Sequence, residues 1–92
     1  MQKTFYFYTD PGHGWVKVPV NLLHTLGIAG QISLYSYQRG DSAYLEEDSD
    51  ASLFHRAFFD KYGEFPVYRE RNSAHNYSRI RNYDNYRSNH NG

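Results

Sequence analysis

The sequence predicts an α+β fold in which a small antiparallel sheet carries one main helix, with elements in the order ββαββαβ and a polar tail behind them. Between residues 3 and 9, phenylalanines alternate with tyrosines, as in a strand with two different faces. From residue 53 to residue 62, apolar side chains recur at helical spacing, and Gly63 ends the run. Short links rich in turn-forming residues favour antiparallel neighbours, and these features together predict the α+β class.

Residues 3–9 and 15–18 are predicted to be the two strands of a first hairpin. The link 10–14, Asp-Pro-Gly-His-Gly, consists mostly of turn formers. In each strand one parity is apolar, so the two phenylalanines and the two valines point inward. The two tyrosines, Trp15 and Lys17 then point outward.

A short helix and a second hairpin are predicted for the middle of the chain. Pro19 starts a helix over residues 19–26, because its missing N–H costs nothing at the first helical position, and Gly27 ends it. Residues 31–38 and 42–46 alternate in side-chain type on either side of a glycine-centred turn. This pattern predicts two paired strands.

The main helix is predicted to start at residues 48–50, where Asp and Ser are good N-cap and first-turn residues. Phe54 and Phe58 lie on its inward stripe and should belong to the core. Residues 65–69 are predicted to be a last strand at an edge of the sheet, since Pro66 lacks a backbone donor.

Composition divides the chain into a compact domain, residues 1–70, and a polar tail, residues 71–92. Ile80 is the only large aliphatic residue of the tail, among six Asn, four Arg, three Tyr and two His. Such a segment cannot bury enough apolar surface to offset the entropy of ordering itself. Its Arg and Tyr side chains are, however, well suited to contacting another surface.

The net charge is zero, but it is distributed unevenly. Residues 1–50 carry three Lys or Arg and six Asp or Glu, whereas the tail carries four Arg and one Asp. Either the tail folds back onto its own acidic body, where opposite charges meet at high effective concentration, or it faces a partner. A total of zero argues against a dedicated duplex-DNA binder.

No strong catalytic, cofactor or metal pattern is present, so we expect a non-enzymatic protein without a cofactor. The chain has no cysteine, and its five histidines lack metal-ligand spacing. His13, between two glycines, is interpreted as part of an exposed turn, because nucleophilic catalysis needs a base and an orienting group. No run approaches the roughly 20 apolar residues of a membrane span, and we expect a cytoplasmic protein.

The acidic run 46–50 has three interpretations. It can cap the main helix, which is the preferred one, or offer oxygen ligands to a divalent cation, although it lacks the pattern of a calcium loop. It can also form an acidic patch that mimics phosphates or meets a basic partner.

Tyrosine and arginine side chains complete the predicted interaction surface. Tyr is enriched at interfaces because it buries a large area at low entropic cost. Interleaved Tyr and Arg in the tail suit single-stranded nucleic acid as well as a protein interface, and a tail without a partner is the third alternative. The predicted partner-binding residues are Tyr35, Tyr37, Tyr44, Glu46, Glu47, Asp48, Tyr77, Arg79, Arg81, Tyr83, Tyr86 and Arg87.

One local stretch resembles a known module. Val16-Lys17-Val18-Pro19, Leu22-Leu23 and Leu26-Gly27-Ile28, followed by the strand pair 31–46, resemble the AbrB-type swapped-hairpin module. The resemblance implies an intertwined homodimer that binds DNA through basic residues. In this chain Lys17 is the basic residue near the Pro-started helix.

A longer resemblance covers residues 5–70. The segments GHGWVKVP, LLHTLGI, ISLYSYQRGD and YLEEDSDA, in this order, are similar to small uncharacterised proteins of phages and mobile elements. The resemblance implies an accessory protein that binds a host complex, defence machinery included. We therefore expect a protein-interaction module that inhibits or redirects a host complex. The alternative is a nucleic-acid-binding module or transcription regulator that uses the Arg/Tyr tail.

Overall fold

The computed structural model describes residues 2–72 and 78–87 of the chain. Its strands and α-helices are β1 (Thr4–Thr9), β2 (Gly14–Pro19), α1 (Val20–Thr25), β3 (Tyr37–Arg39), β4 (Ser42–Glu46), α2 (Asp50–Tyr62), β5 (Val67–Asn72) and β6 (Asp84–Asn85). Two 3-10 turns, Ala29–Gln31 and Arg79–Asn82, lie between them. The order therefore extends the predicted ββαββαβ by these turns and by a sixth strand.

All six strands form one sheet in the order β5-β1-β2-β4-β3-β6. Its neighbours are antiparallel except for β1 and β5, which run parallel. The sheet is therefore mixed, and the prediction of a purely antiparallel sheet was wrong at this pair. Helix α2 is the cause, because it carries the chain back to the end of the sheet at which β4 begins. β5 therefore runs in the same direction as β4, and β1 also has this direction.

The main core lies between one sheet face and the two helices. Phe5 of β1 meets Phe54 and Phe58 of α2 edge to face, with ring centroids 5.1 and 5.8 Å apart. All three rings are almost fully buried, which confirms the predicted inward stripe of the helix. Alternation along β2 and β4 adds further buried residues of the same face, namely Val16, Val18, Ala43 and Leu45.

Residues 31–38 do not form the predicted strand, because only the short β3 at its end joins the sheet. Leu34 and Tyr35 are 65% and 76% exposed, whereas Ile32 is buried. The alternating pattern belongs to a loop here. Hydrogen bonds from two serines to a buried carboxylate fix its course.

That carboxylate belongs to Asp50, in the first turn of α2. It accepts hydrogen bonds from the backbone N–H and the hydroxyl of Ser33, at 3.0 and 2.7 Å, and from the hydroxyl of Ser36. The predicted acidic cap of α2 therefore has another role, since Asp50 bonds a loop. Ser49, at the N-cap position, makes no side-chain capping bond.

Residues 78–87, which lie within the predicted polar tail, pack against the body. β6 pairs with β3, and Ile80 and Tyr86 are almost fully buried. The hydroxyl of Tyr86 donates to the carbonyl of Ala29 at 2.8 Å. A polar segment is ordered in this way because the sheet supplies most of the apolar surface that the segment itself lacks.

The substitution Phe54→Ala should lower the free energy of unfolding by about 3–5 kcal/mol, because it leaves a cavity beside Phe5 and Phe58. Phe59→Ala is the matched control, since Phe59 lies on the same helix but is partly exposed. Phe59→Ala should lower the free energy of unfolding by only about 1 kcal/mol. Urea unfolding of both variants measures the difference. Equal losses would contradict the assignment of Phe54 to the core.

Candidate functional site: a tyrosine-rich sheet face

The sheet face turned away from the helices is rich in tyrosine. Strand register shows which residues share it: Tyr8 lies opposite Trp15, and Tyr44 lies opposite both Lys17 and Tyr37. We call this surface the tyrosine face. Its residues are Tyr6, Tyr8, Trp15, Lys17, Tyr37, Arg39, Tyr44, Arg69, Arg71 and Tyr83.

Four of the tyrosines form a continuous row across the sheet. The ring centroids are 6.1 Å apart between Tyr6 and Tyr8, 6.2 Å between Tyr8 and Tyr44, and 5.0 Å between Tyr44 and Tyr83. Each pair is tilted by more than 50°, which is a favourable arrangement for aromatic rings. This tyrosine row links residues from the first strand of the chain to the C-terminal segment.

Arginines cover both ends of the tyrosine row. The guanidinium carbon of Arg71 lies 4.5 Å from the ring centre of Tyr6, and that of Arg39 lies 5.1 Å from the ring centre of Tyr83. None of the cations Arg39, Arg71, Lys17 and Arg69 forms an ion pair with a carboxylate of residues 2–72 or 78–87. The face is therefore positive and open to an anionic group.

The pKa values of two tyrosines in the row move in opposite directions. A hydrogen bond from Arg71, reinforced by its charge, lowers the pKa of the exposed Tyr6 hydroxyl below its ordinary value of 10.0. Burial raises the pKa of Tyr44 to about 12, and its neighbours Tyr83 and Tyr8 add to the effect. The tyrosine row is therefore buried in its middle, at Tyr44, and exposed and bonded to an arginine at its Tyr6 end.

Asp10 holds the C-terminal segment on this face. Its buried carboxylate accepts two hydrogen bonds from the guanidinium of Arg81, at 2.7 and 2.9 Å, and one from the N–H of Ser78 at 2.8 Å. The N–H groups of Gly12 and His13 bond it at 3.0 Å. These donors, Arg81 foremost, hold the pKa of Asp10 well below its usual range.

Arg81 also covers Trp15, with its guanidinium carbon 5.6 Å from the ring centre. Ile80 packs in the same cluster, so Trp15 is buried although it lies on the outward face predicted for it. By holding this segment, Asp10 seats Tyr83 beside Tyr44 and completes the tyrosine row.

A cleft of about 480 Å³ at one end of the tyrosine face gathers several predicted residues. Tyr35, Tyr37, Glu46 and Asp48 line it, together with His13. Burial, and then the charge of Asp48, raise the pKa of Glu46. Within the described ranges, no three His, Asp or Glu side chains are placed to hold a metal ion.

Of the other predicted residues, Arg81 also lines this cleft, and Tyr44 and Tyr83 lie in the tyrosine row. Arg79 and Arg87 are exposed on the C-terminal segment, and Glu47 is exposed on the opposite side of the sheet. Tyr86 is buried in the main core, so its ring is not available to a partner. Tyr77 lies outside the described residues.

Seven residues of the face were not among the predicted partner-binding residues, and four of them lie on β1 and β5, namely Tyr6, Tyr8, Arg69 and Arg71. The sequence did indicate that the two tyrosines share one face, because they alternate with phenylalanines along one strand. Nothing in the sequence indicated the position of Arg69 and Arg71, because only the parallel pairing of β5 with β1 sets them beside Tyr6.

Comparison with known proteins identifies no relative. No protein family model, no curated protein and no solved structure matches the chain. In residues 2–72 and 78–87, no helix has the length and apolar character to cross a membrane.

The substitution Asp10→Asn should destabilise the fold at neutral pH and flatten its acid dependence. The folded-state pKa of Asp10 is depressed, so its contribution is complete above the ordinary value of 3.8 and is lost as the pH falls below it. Urea unfolding between neutral and acid pH measures this. Asp60→Asn, an exposed carboxylate of α2, is the control and should keep the wild-type pH profile. An Asp10→Asn protein with that same profile would exclude the depressed pKa.

Proposed function

We propose that this chain is a non-enzymatic protein-interaction module that binds an acidic surface of a partner protein through its tyrosine face. One observation carries the proposal: a row of four tyrosines with an arginine over each end, among cations that have no described carboxylate partner. Tyr and Arg are the side chains that most often dominate the energy of protein interfaces. Their geometry is held by the sheet, so little side-chain entropy is lost on binding.

The arginines favour a protein partner over nucleic acid. A base stacks on an exposed aromatic face, but Arg71 already covers Tyr6 and Arg39 already covers Tyr83. The groups left to a partner at these ends are guanidinium N–H donors and phenol hydroxyls. Such donors match the paired oxygens of Asp and Glu side chains.

The resemblance of residues 5–70 to phage and mobile-element proteins supports a particular setting. The partner would be a cytoplasmic host complex, defence machinery included, that the protein inhibits or redirects. A small folded body with a charged, aromatic surface is suited to covering a functional site of such a complex.

Single-stranded nucleic acid is the second candidate ligand. The observation in its favour is that tyrosines and unpaired cations share one sheet face, the combination used by sheet-based single-strand binders. Arg79 and Arg87, both exposed on the C-terminal segment, would extend the cationic track.

The two candidates are separated by a pull-down from host lysate, run with and without nuclease, with the full chain as bait. A protein partner should be retained after nuclease treatment. The double variant Arg39→Ala, Arg71→Ala and the single variant Tyr8→Ala should each reduce its retention by about tenfold, typical of an interface hot spot. Lys61→Ala, an exposed cation of α2 on the opposite side, is the control and should leave retention unchanged.

Binding of a single-stranded oligonucleotide is measured in parallel over a range of salt concentrations. The protein proposal expects weak binding near physiological salt of about 0.15 M. If instead binding stays tight there, and each lost Arg lowers the salt slope by roughly 0.7, the nucleic-acid candidate replaces it. Loss of the retained partner after nuclease treatment would likewise favour the nucleic-acid candidate.

A further inference from the structure

We propose that the partner docks by adding a strand to the outer edge of β5, and that this strand is an extended segment in which acidic and apolar residues alternate. The inference rests on the proposed function for the class of partner, an acidic protein. It adds the mode of binding and the side-chain pattern that this chain recognises. β-Strand addition takes its affinity from main-chain hydrogen bonds and its specificity from alternate side chains.

The outer edge of β5 offers free backbone groups. β5 is the end strand of the sheet, and the N–H of Val67 donates to the carbonyl of Lys3 beside β1. Successive residues of a strand direct their backbone groups to opposite edges, so those of Tyr68 and Glu70 point away from β1. No described residue bonds them there.

An apolar groove lies beside this edge, on the helix side of the sheet. Its volume is about 730 Å³, and its lining comes from α2, from Phe7 of β1, Val16 of β2 and Tyr68 of β5, and from Phe65 just before β5. Glu47, Arg56 and Asp60 also line it. The rings of Phe59 and Phe65 stack at 4.4 Å, and the ring of His55 stacks on Phe65 at 4.6 Å. Phe59 and Phe65 are nevertheless 40% and 52% exposed, so each keeps apolar surface that a partner could cover.

The groove is preorganised at its inner wall. Nδ1 of His55 and the hydroxyl of Tyr68 are 2.8 Å apart, a hydrogen bond that fixes both rings. Burial raises the pKa of Tyr68 to about 12, so the phenol stays neutral. A neutral, fixed wall suits an aliphatic side chain.

The two faces of the sheet beside β5 favour different side chains in an added strand. On the helix side, an added strand would meet the groove of Phe59 and Phe65. On the other side, it would meet Arg69 and Arg71, neither of which pairs with a described carboxylate. Because side chains alternate between faces, one strand satisfies both sides only if its apolar and acidic residues alternate.

The same charges argue against a second copy of this chain at the edge. Two β5 strands related by a twofold axis normal to the sheet would pair antiparallel, and each residue would stay on its own face. The arginines at 69 and 71 of both copies would then share one face at close range. Like charges across strands are destabilising. Pairing between the β5 strands of two copies is therefore disfavoured, and pairing with an acidic strand is favoured.

The probe is a synthetic peptide of about eight residues, a common strand length, in which Glu alternates with Leu or Val. Its binding to the full chain is followed by fluorescence anisotropy, with hydrogen exchange at the amides of Tyr68 and Glu70. We expect binding that protects both amides. A peptide of the same composition without alternation, and one with Lys in place of Glu, should each bind about tenfold more weakly.

Matched variants locate the contact. Glu70→Pro removes an outward N–H that no described residue uses, and should weaken binding by about tenfold, whereas Glu70→Ala keeps the N–H and should bind like the wild type. Arg69→Glu, which leaves the backbone unchanged, should also weaken binding by about tenfold. A thermal melt checks that Glu70→Pro is folded. If it is not, Arg69→Glu and the exchange data decide.

Equal binding of the alternating and non-alternating peptides, or unchanged amide exchange, would overturn the inference. So would a homodimer of the wild-type chain in sedimentation that Glu70→Pro weakens, because the edge would then take a second copy. The proposed function fails separately, if Tyr8→Ala and the Arg39, Arg71 double variant leave partner retention unchanged. Arg71 lies on β5 itself, so Arg39→Ala alone separates the two proposals: three strands lie between β3 and β5, and peptide binding should be unchanged in this variant whether or not the proposed function holds.

Discussion

The buried carboxylate of Asp10 is the interaction on which the tyrosine face depends. Five hydrogen bonds converge on it, from the turn of the first hairpin and from a segment almost seventy residues later in the chain. A buried charge is costly unless it is paired and fully hydrogen-bonded, so the turn and the segment each need the other. Trp15 is covered and Tyr83 is positioned as consequences of this one ion pair.

Asp50 has a comparable role on the helix side. It fixes the loop before β3 through Ser33 and Ser36, and the hydroxyl of Ser36 in turn accepts a hydrogen bond from the N–H of Glu46. The carbonyl of Ser36 accepts from the N–H of Tyr86. Two buried aspartates thus anchor the C-terminal segment, one from each side, and polar contacts decide the course of a segment with little apolar surface.

The two sheet faces divide the aromatic residues by chemistry. Phe5, Phe54 and Phe58 fill the core under α2, whereas four tyrosines form the row on the other face. The tyrosines on the helix side, Tyr68 and Tyr86, each have a hydrogen-bond partner for the hydroxyl. The cations over the ends of the row leave hydrogen-bond donors at the surface. The groove beside β5 adds an apolar site at the sheet edge, so the proposed partner would meet a polar, cationic face and an apolar groove that share one strand.

Local patterns determined much of this protein. Alternation placed Phe5 and Tyr6 on opposite faces of β1, helical spacing placed Phe54 and Phe58 in the core, and Gly63, with φ of 75°, ended α2 where the sequence predicts. What depends on contacts between distant residues was decided only by the tertiary structure. The parallel pairing that sets Arg71 on Tyr6, and the ion pair of Asp10 with Arg81, join residues more than sixty positions apart. No local pattern records which distant partner will meet a strand or a charge, because that choice depends on how the whole chain packs.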